Sequence, residues 1–128
     1  MPSPAVLDSS AVLALLQNEA GSETVSQLIC GALVSAVNLT EVHSKLIGKG
    51  IPAPLSWKKI ASLQCDVCSY TGEQARIAAE LMPITRSYGL SLGDRACLAL
   101  AIERKATVYT TAKVWKKLSL GIEVEVIR

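Results

Sequence analysis

The 128-residue chain contains no phenylalanine, a single histidine and only 4% aromatic residues. A core without phenylalanine must be filled by leucine, isoleucine, valine and alanine, which suits parallel strands sandwiched between helices. Charge of one sign is equally scarce. Thirteen Lys and Arg against eleven Asp and Glu leave a formal net charge of +2. That balance excludes a protein that coats nucleic acid through its overall charge, while a local basic rim around an acidic site is compatible with it. No apolar run reaches the ~18 residues of a membrane span, so no membrane association is expected. No basic stretch followed by an apolar segment and a cleavage site opens the chain, and a secretory signal is not expected. Gly48-Lys49-Gly50 lacks the G-x-x-x-x-G-K-[ST] spacing of a phosphate loop, and no G-x-G-x-x-G follows the first apolar run, which disfavours a nucleotide-binding enzyme.

What is present points to a packed fold. Half of the residues are apolar and 19% are charged, so disorder is excluded and one domain over residues 1–128 is expected. The runs Pro4–Leu7, Ala32–Ser35, Asp66–Ser69, Thr107–Tyr109 and Ile122–Ile127 read as short strands. Helices are expected over 11–16, capped by Ser9 or Ser10, and over 22–29, 37–48 and 55–63. A long helix capped by Thr71 should reach about Arg86, with Pro83 as a kink or end. Further helices are expected over 91–105 and 112–118, and 48–54 should be a loop. Strands alternating with helices imply an α/β protein with a parallel sheet covered on both faces.

Ligands of such sheets bind beyond the carboxyl ends of the strands. Three acids are placed there: Asp8 ends the first strand, Glu41 follows the second, and Asp94 opens the helix before the fourth. Carboxylates gathered in one place repel each other unless a cation lies between them, and hard divalent ions prefer oxygen ligands. Each acid also has a plainer reading: Asp8 and Asp94 as helix caps, the latter in a Ser91-Leu92-Gly93-Asp94 capping box, and Glu41 as a solvated helix residue.

The segments Ala5-Val6-Leu7-Asp8-Ser9-Ser10-Ala11, Val37-Asn38-Leu39-Thr40-Glu41-Val42 and Leu90-Ser91-Leu92-Gly93-Asp94-Arg95 resemble, in order, the three acidic motifs of PIN domains. The stretch Val108–Trp115 followed by Leu120-Gly121-Ile122 is similar to the family's C-terminal region. The resemblance covers nearly the whole chain and is nearest to VapC-like toxins. It implies a three-layer α/β/α fold and an Mg²⁺- or Mn²⁺-dependent endoribonuclease, the toxin of a toxin–antitoxin pair. Asp8, Glu41 and Asp94 would be the metal-binding and catalytic acids, supported by the hydroxyls of Ser9 and Thr110. The expected partners are RNA, a cognate antitoxin and a second copy of the chain. In one respect the chain departs from the pattern: Thr110-Thr111 is followed by Ala112, where a further acid is usual. Either three acids suffice, or this is an impaired PIN domain that binds RNA or an antitoxin without cutting.

Other features weigh less. Arg95 and Lys113 are candidate phosphate contacts, beside a basic face completed by Lys116 and Lys117. Cys65-x-x-Cys68 supplies only half of a structural zinc site and is expected to pack, as is Cys97. His43, two residues from Glu41, should point to another side of its helix and serve as a surface or interface residue.

Overall fold

The computed structural model describes residues 3–128. Strands β1 (Ala5–Leu7), β2 (Leu33–Ser35), β3 (Asp66–Cys68), β4 (Thr107–Thr110) and β5 (Val124–Val126) form one sheet in the order β3-β2-β1-β4-β5, and every pairing is parallel. The helices are α1 (Ser9–Leu16), α2 (Ser22–Leu28), α3 (Ala36–Gly48), α4 (Ala53–Ala61), α5 (Gly72–Glu80), α6 (Met82–Thr85) and α7 (Leu92–Arg104).

Strand alternation divides the core in two. Val6, Leu33, Val108 and Val124 face one side, where they pack with Cys97, Leu98 and Leu100 of α7 and with Trp115. Leu7, Val34 and Tyr109 face the other, against α1, α2 and α3 through Val12, Val25 and Val42. The layering is therefore helix, sheet, helix, the expected α/β/α arrangement. Cys68 joins the first cluster and Cys65 borders the second, so the two thiols of the C-x-x-C pair serve opposite faces of the sheet. All four cysteines are free.

Local chemistry shifts several expected boundaries. The cap of α1 is Asp8, not Ser9 or Ser10, and the helix starts two residues early. Pro54 lies inside α4, in the first turn, where a missing N–H leaves no bond unmade; the expected loop therefore ends sooner. The helix expected to run to Arg86 is three pieces: α5, α6 with Pro83 near its start, and a 3-10 turn over Arg86–Tyr88. The stretch expected as a helix over 112–118 is a 3-10 turn, Lys113–Lys117. At Gly21, φ is +95° and a side chain would meet the Ile127 carbonyl oxygen at 2.7 Å, so both conformation and space demand glycine.

Candidate functional site

The strand order sets where a site can form. From β1 the chain moves outward through β2 and β3, then returns to add β4 on the other side of β1. The two directions part between β1 and β4, and the crevice beyond their carboxyl ends is where open α/β sheets receive ligands. Asp8 leaves β1 and Thr110 ends β4 at this point, and the Thr110 hydroxyl donates to Asp8 Oδ2 at 2.6 Å.

Asp8 is buried, and both of its oxygens are engaged. Besides Thr110, the Ser10 hydroxyl (2.7 Å) and the Ala11 amide (2.8 Å) donate to Oδ1. Ser10 Oγ accepts from the Thr111 amide at 3.0 Å, and Thr110 Oγ1 accepts from the Ala112 amide at 3.0 Å, so the loop after β4 is stitched to the start of α1. The serine that supports Asp8 is thus Ser10. Ser9, expected in that role, is the first residue of α1 and makes no side-chain hydrogen bond among the described residues, because the helix begins at Ser9 and turns Ser10 toward β4. Burial pushes the Asp8 carboxyl above its ordinary value; the bonds from Thr110, Ser10 and Ala11 oppose this, and the nearby charge of Asp94 adds to it.

Glu41 stands one turn into α3, half-buried, with Oε1 accepting from Asn38 Nδ2 at 2.9 Å. The same amide nitrogen donates to the Gly93 carbonyl at 3.0 Å, so Asn38 joins the first turns of α3 and α7. Asn38 is itself buried, and its Oδ1 has no partner. A Cβ on Gly93 would collide with the Glu41 carboxylate. Glycine at this position makes room for the acid.

Asp94 forms the expected capping box: Ser91 N donates to its Oδ2 (2.9 Å) and its own amide donates to Ser91 Oγ (3.2 Å). Cys97, one turn further along α7, is fully buried, and its thiol lies well above the ordinary range. Burial is the main cause, and the negative charges of Asp8, Asp94 and Glu41 add to it. Among the described residues, no three His, Cys, Asp or Glu side chains are close enough to make a ready-formed metal cage.

The basic candidates separate. Arg95 faces α5: its Nη1 donates to the Ala78 carbonyl at 3.0 Å, and its Nε is buried without a partner. Adjacent helix residues point in different directions, so the neighbour of Asp94 is carried away from the crevice and is withdrawn as a phosphate contact. Lys113 is exposed at the start of the 3-10 turn, beside Ala112. His43 binds Ser56 Oγ through Nδ1 (2.8 Å) and meets Trp57 edge-on at 5.2 Å, which ties α3 to α4. Asn38, Gly93 and Ser10 escaped the reading of the sequence as site residues. Of these, only Asn38 carried a signal, three residues before Glu41 on the same helix face.

A parallel sheet whose strand order reverses beside the buried, hydrogen-bonded Asp8 defines an open α/β protein with a crevice at the carboxyl ends of β1 and β4. A family model for the PIN domain matches residues 5–119, and the chain belongs to that family. No curated protein sequence matches it. Solved structures do. A chain of the DNA-bound VapBC complex from Salmonella typhimurium aligns over 100% of both chains, with a TM-score of 0.73 and 17% identity. One from VapBC2 of Rickettsia felis, bound to a promoter DNA fragment, aligns over 97% of this chain and 98% of that one, with a TM-score of 0.73 and 16% identity. VapBC-5 from Mycobacterium tuberculosis aligns over 99% of both, with a TM-score of 0.60 and 20% identity. At these identities the likeness establishes a shared fold.

Proposed function

We propose that the chain is a metal-dependent endoribonuclease and the toxin of a toxin–antitoxin pair. The observation that carries this reading is Asp8, buried at the carboxyl end of β1 and held there by Thr110, Ser10 and Ala11, in a chain of the PIN family. The donor set fits Mg²⁺ or Mn²⁺. It is all carboxylate oxygen, and Mg²⁺ keeps several waters and needs only one or two carboxylates, so a full protein cage is unnecessary. Asp8, Asp94 and Glu41 would hold the ion, which when bound supplies Lewis acidity for phosphodiester hydrolysis.

The chain's own residues prepare the site. Asp8 is fixed by three donors, and Thr110 contributes the shortest of these bonds. Asn38 orients Glu41 through Oε1. Asp94 uses Oδ2 for its cap, and its Oδ1 makes no hydrogen bond among the described residues. Lys113, exposed at the start of the 3-10 turn, would meet a phosphate of bound RNA. The likeness to chains of VapBC toxin–antitoxin systems supports an antitoxin as partner. Among the described residues, no helix is long and apolar enough to cross a membrane. Exposed Ile47, Leu55 and Trp57 on α3 and α4 offer apolar surface for a homodimer or an antitoxin.

The test is cleavage of purified RNA in Mg²⁺ or Mn²⁺, with EDTA and Asp8→Asn as controls. Metal-dependent cleavage abolished by the substitution is expected. Antitoxin and RNA binding without any cleavage would instead favour an impaired PIN domain, the reading that Ala112 supports.

A further inference from the structure

Beyond Glu41, α3 carries Lys45 and is capped at its C-terminus by Lys49. A spacing of four keeps all three residues on one stripe of the helix, and each step advances about 6 Å along its axis. Two depressions meet on this stripe. One, of about 550 Å³, extends from Glu41 past Ser44 to Lys49. The other, of about 310 Å³, lies against the first turns of α1 and reaches Thr111 and Arg128. Ser9, Lys45 and Lys49 border both, so the two adjoin in one open trough leading away from Glu41.

The trough has the chemistry of a phosphate track. Lys45 and Lys49 are exposed and form no ion pair among the described residues. The only carboxylate on its far wall, Glu19, is paired with Arg128 at 2.9 Å. The opposite flank is different: the depression beside Lys116 is also lined by Glu123 and Glu125, which repel phosphate. No aromatic side chain lines the trough, so it offers no surface on which bases could stack.

We propose that a single RNA strand lies in this trough. Lys45 and Lys49 contact successive backbone phosphates, and the Ser9 hydroxyl lies beside them. The proposal rests on the ribonuclease reading above and adds which flank of the cleaved bond the protein grips. Lysine and serine contacts to phosphate position a strand without reading its sequence, so the grip is indifferent to base identity.

The test measures binding of two fluorescein-labelled single-stranded RNAs of unrelated sequence by anisotropy across a salt series. It is run in EDTA and again with Ca²⁺ in place of Mg²⁺, so that no readout depends on cleavage. The wild-type chain is compared with Lys45→Gln/Lys49→Gln and with Lys116→Gln/Lys117→Gln. Circular dichroism checks that these exposed substitutions leave the fold intact. The first double variant should bind both RNAs roughly 10- to 30-fold more weakly at 0.1 M salt, with a salt slope smaller by about 1.4, since each phosphate contact on a single strand contributes ~0.7. The second should match the wild type. If the wild type binds RNA and Lys45→Gln/Lys49→Gln leaves the slope unchanged, the trough is not the track, and the ribonuclease reading survives. If the wild type binds neither RNA in either condition, that reading falls together with the proposal. If the first variant keeps RNA binding but loses affinity for a poly-glutamate peptide, the trough serves an acidic protein segment, and the RNA assignment is overturned.

Discussion

The first turns of α1 and α7 are each closed by an aspartate, and the surroundings of the two carboxylates differ. Asp8 is buried and surrounded by donors from α1 and β4, yet its charge is disfavoured because burial outweighs those bonds. Asp94 is partly exposed and sits in a reciprocal box with Ser91. Capping explains both positions, but only at Asp94 is it a comfortable arrangement. Carboxylates whose charge burial disfavours cluster at functional sites, which fits the role proposed for Asp8.

Neutralising the two acids should pull stability and activity apart. Asp8→Asn should reduce RNA cleavage at least ~100-fold, a loss no smaller than that of removing a residue that merely supports a metal ligand. It should also raise the metal-free melting temperature, because asparagine caps as well as aspartate and has no charge to bury. Asp94→Asn should lose activity comparably but lower the melting temperature, since its charge sits favourably in the first turn of α7. Calorimetry in EDTA decides the matter: a fall in melting temperature for both variants would erase the contrast.

Acidity probes the same difference without a mutation. The folded chain protonates Asp8 above the unfolded value of 3.8, so between that value and the folded one it binds more protons than the unfolded chain. The contribution of this group to stability therefore falls as pH rises through that window and is constant above it. On mild acidification, the wild type should gain stability relative to Asp8→Asn. Melting curves of the pair that stay parallel across the window would contradict this.

Ala112→Asp should raise metal affinity and cleavage ~10- to 100-fold, by adding a carboxylate beside Thr110. It also supplies a side-chain cap to the following 3-10 turn, which has none. Isothermal titration with Mn²⁺ checks the gain; no tightening would mean that the acids already present suffice. Gly93→Ala sharpens the picture at α7. The new methyl displaces the Glu41 carboxylate, a flexible group, while alanine is the better helix former by about 1 kcal/mol. Cleavage should drop about 10-fold, as for loss of a supporting contact, with stability within ~1 kcal/mol of the wild type. A large loss of stability would show that the backbone, not Glu41, gives way.

How much of this the sequence revealed depended on whether the signal was local. Short apolar runs marked most of the strands, and the acids were visible because each sits next to a strand end or opens a helix. Asp8-Ser9-Ser10 offers three capping residues in a row, and the choice among them is settled by Thr110, which arrives from β4. Asn38 bonds Gly93 from 55 residues away, so its role appears only once α3 and α7 are known to cross. Arg95 looked like a phosphate ligand by adjacency to Asp94, but a one-residue step on a helix turned it into the packing against α5. Pro83 was recognised as a disruption, yet as the second residue of α6 it begins a helix instead of bending one.

The hydrogen bond between Asp8 and Thr110 joins positions 102 residues apart, and β1 completes its central place in the sheet only when β4 pairs with it. A ribosome releases the first of these residues long before the second. A nascent or prematurely terminated chain therefore lacks the fixed Asp8 on which the crevice is built. Whatever chemistry the acids perform is withheld from fragments and becomes available only to a molecule whose synthesis has passed residue 110.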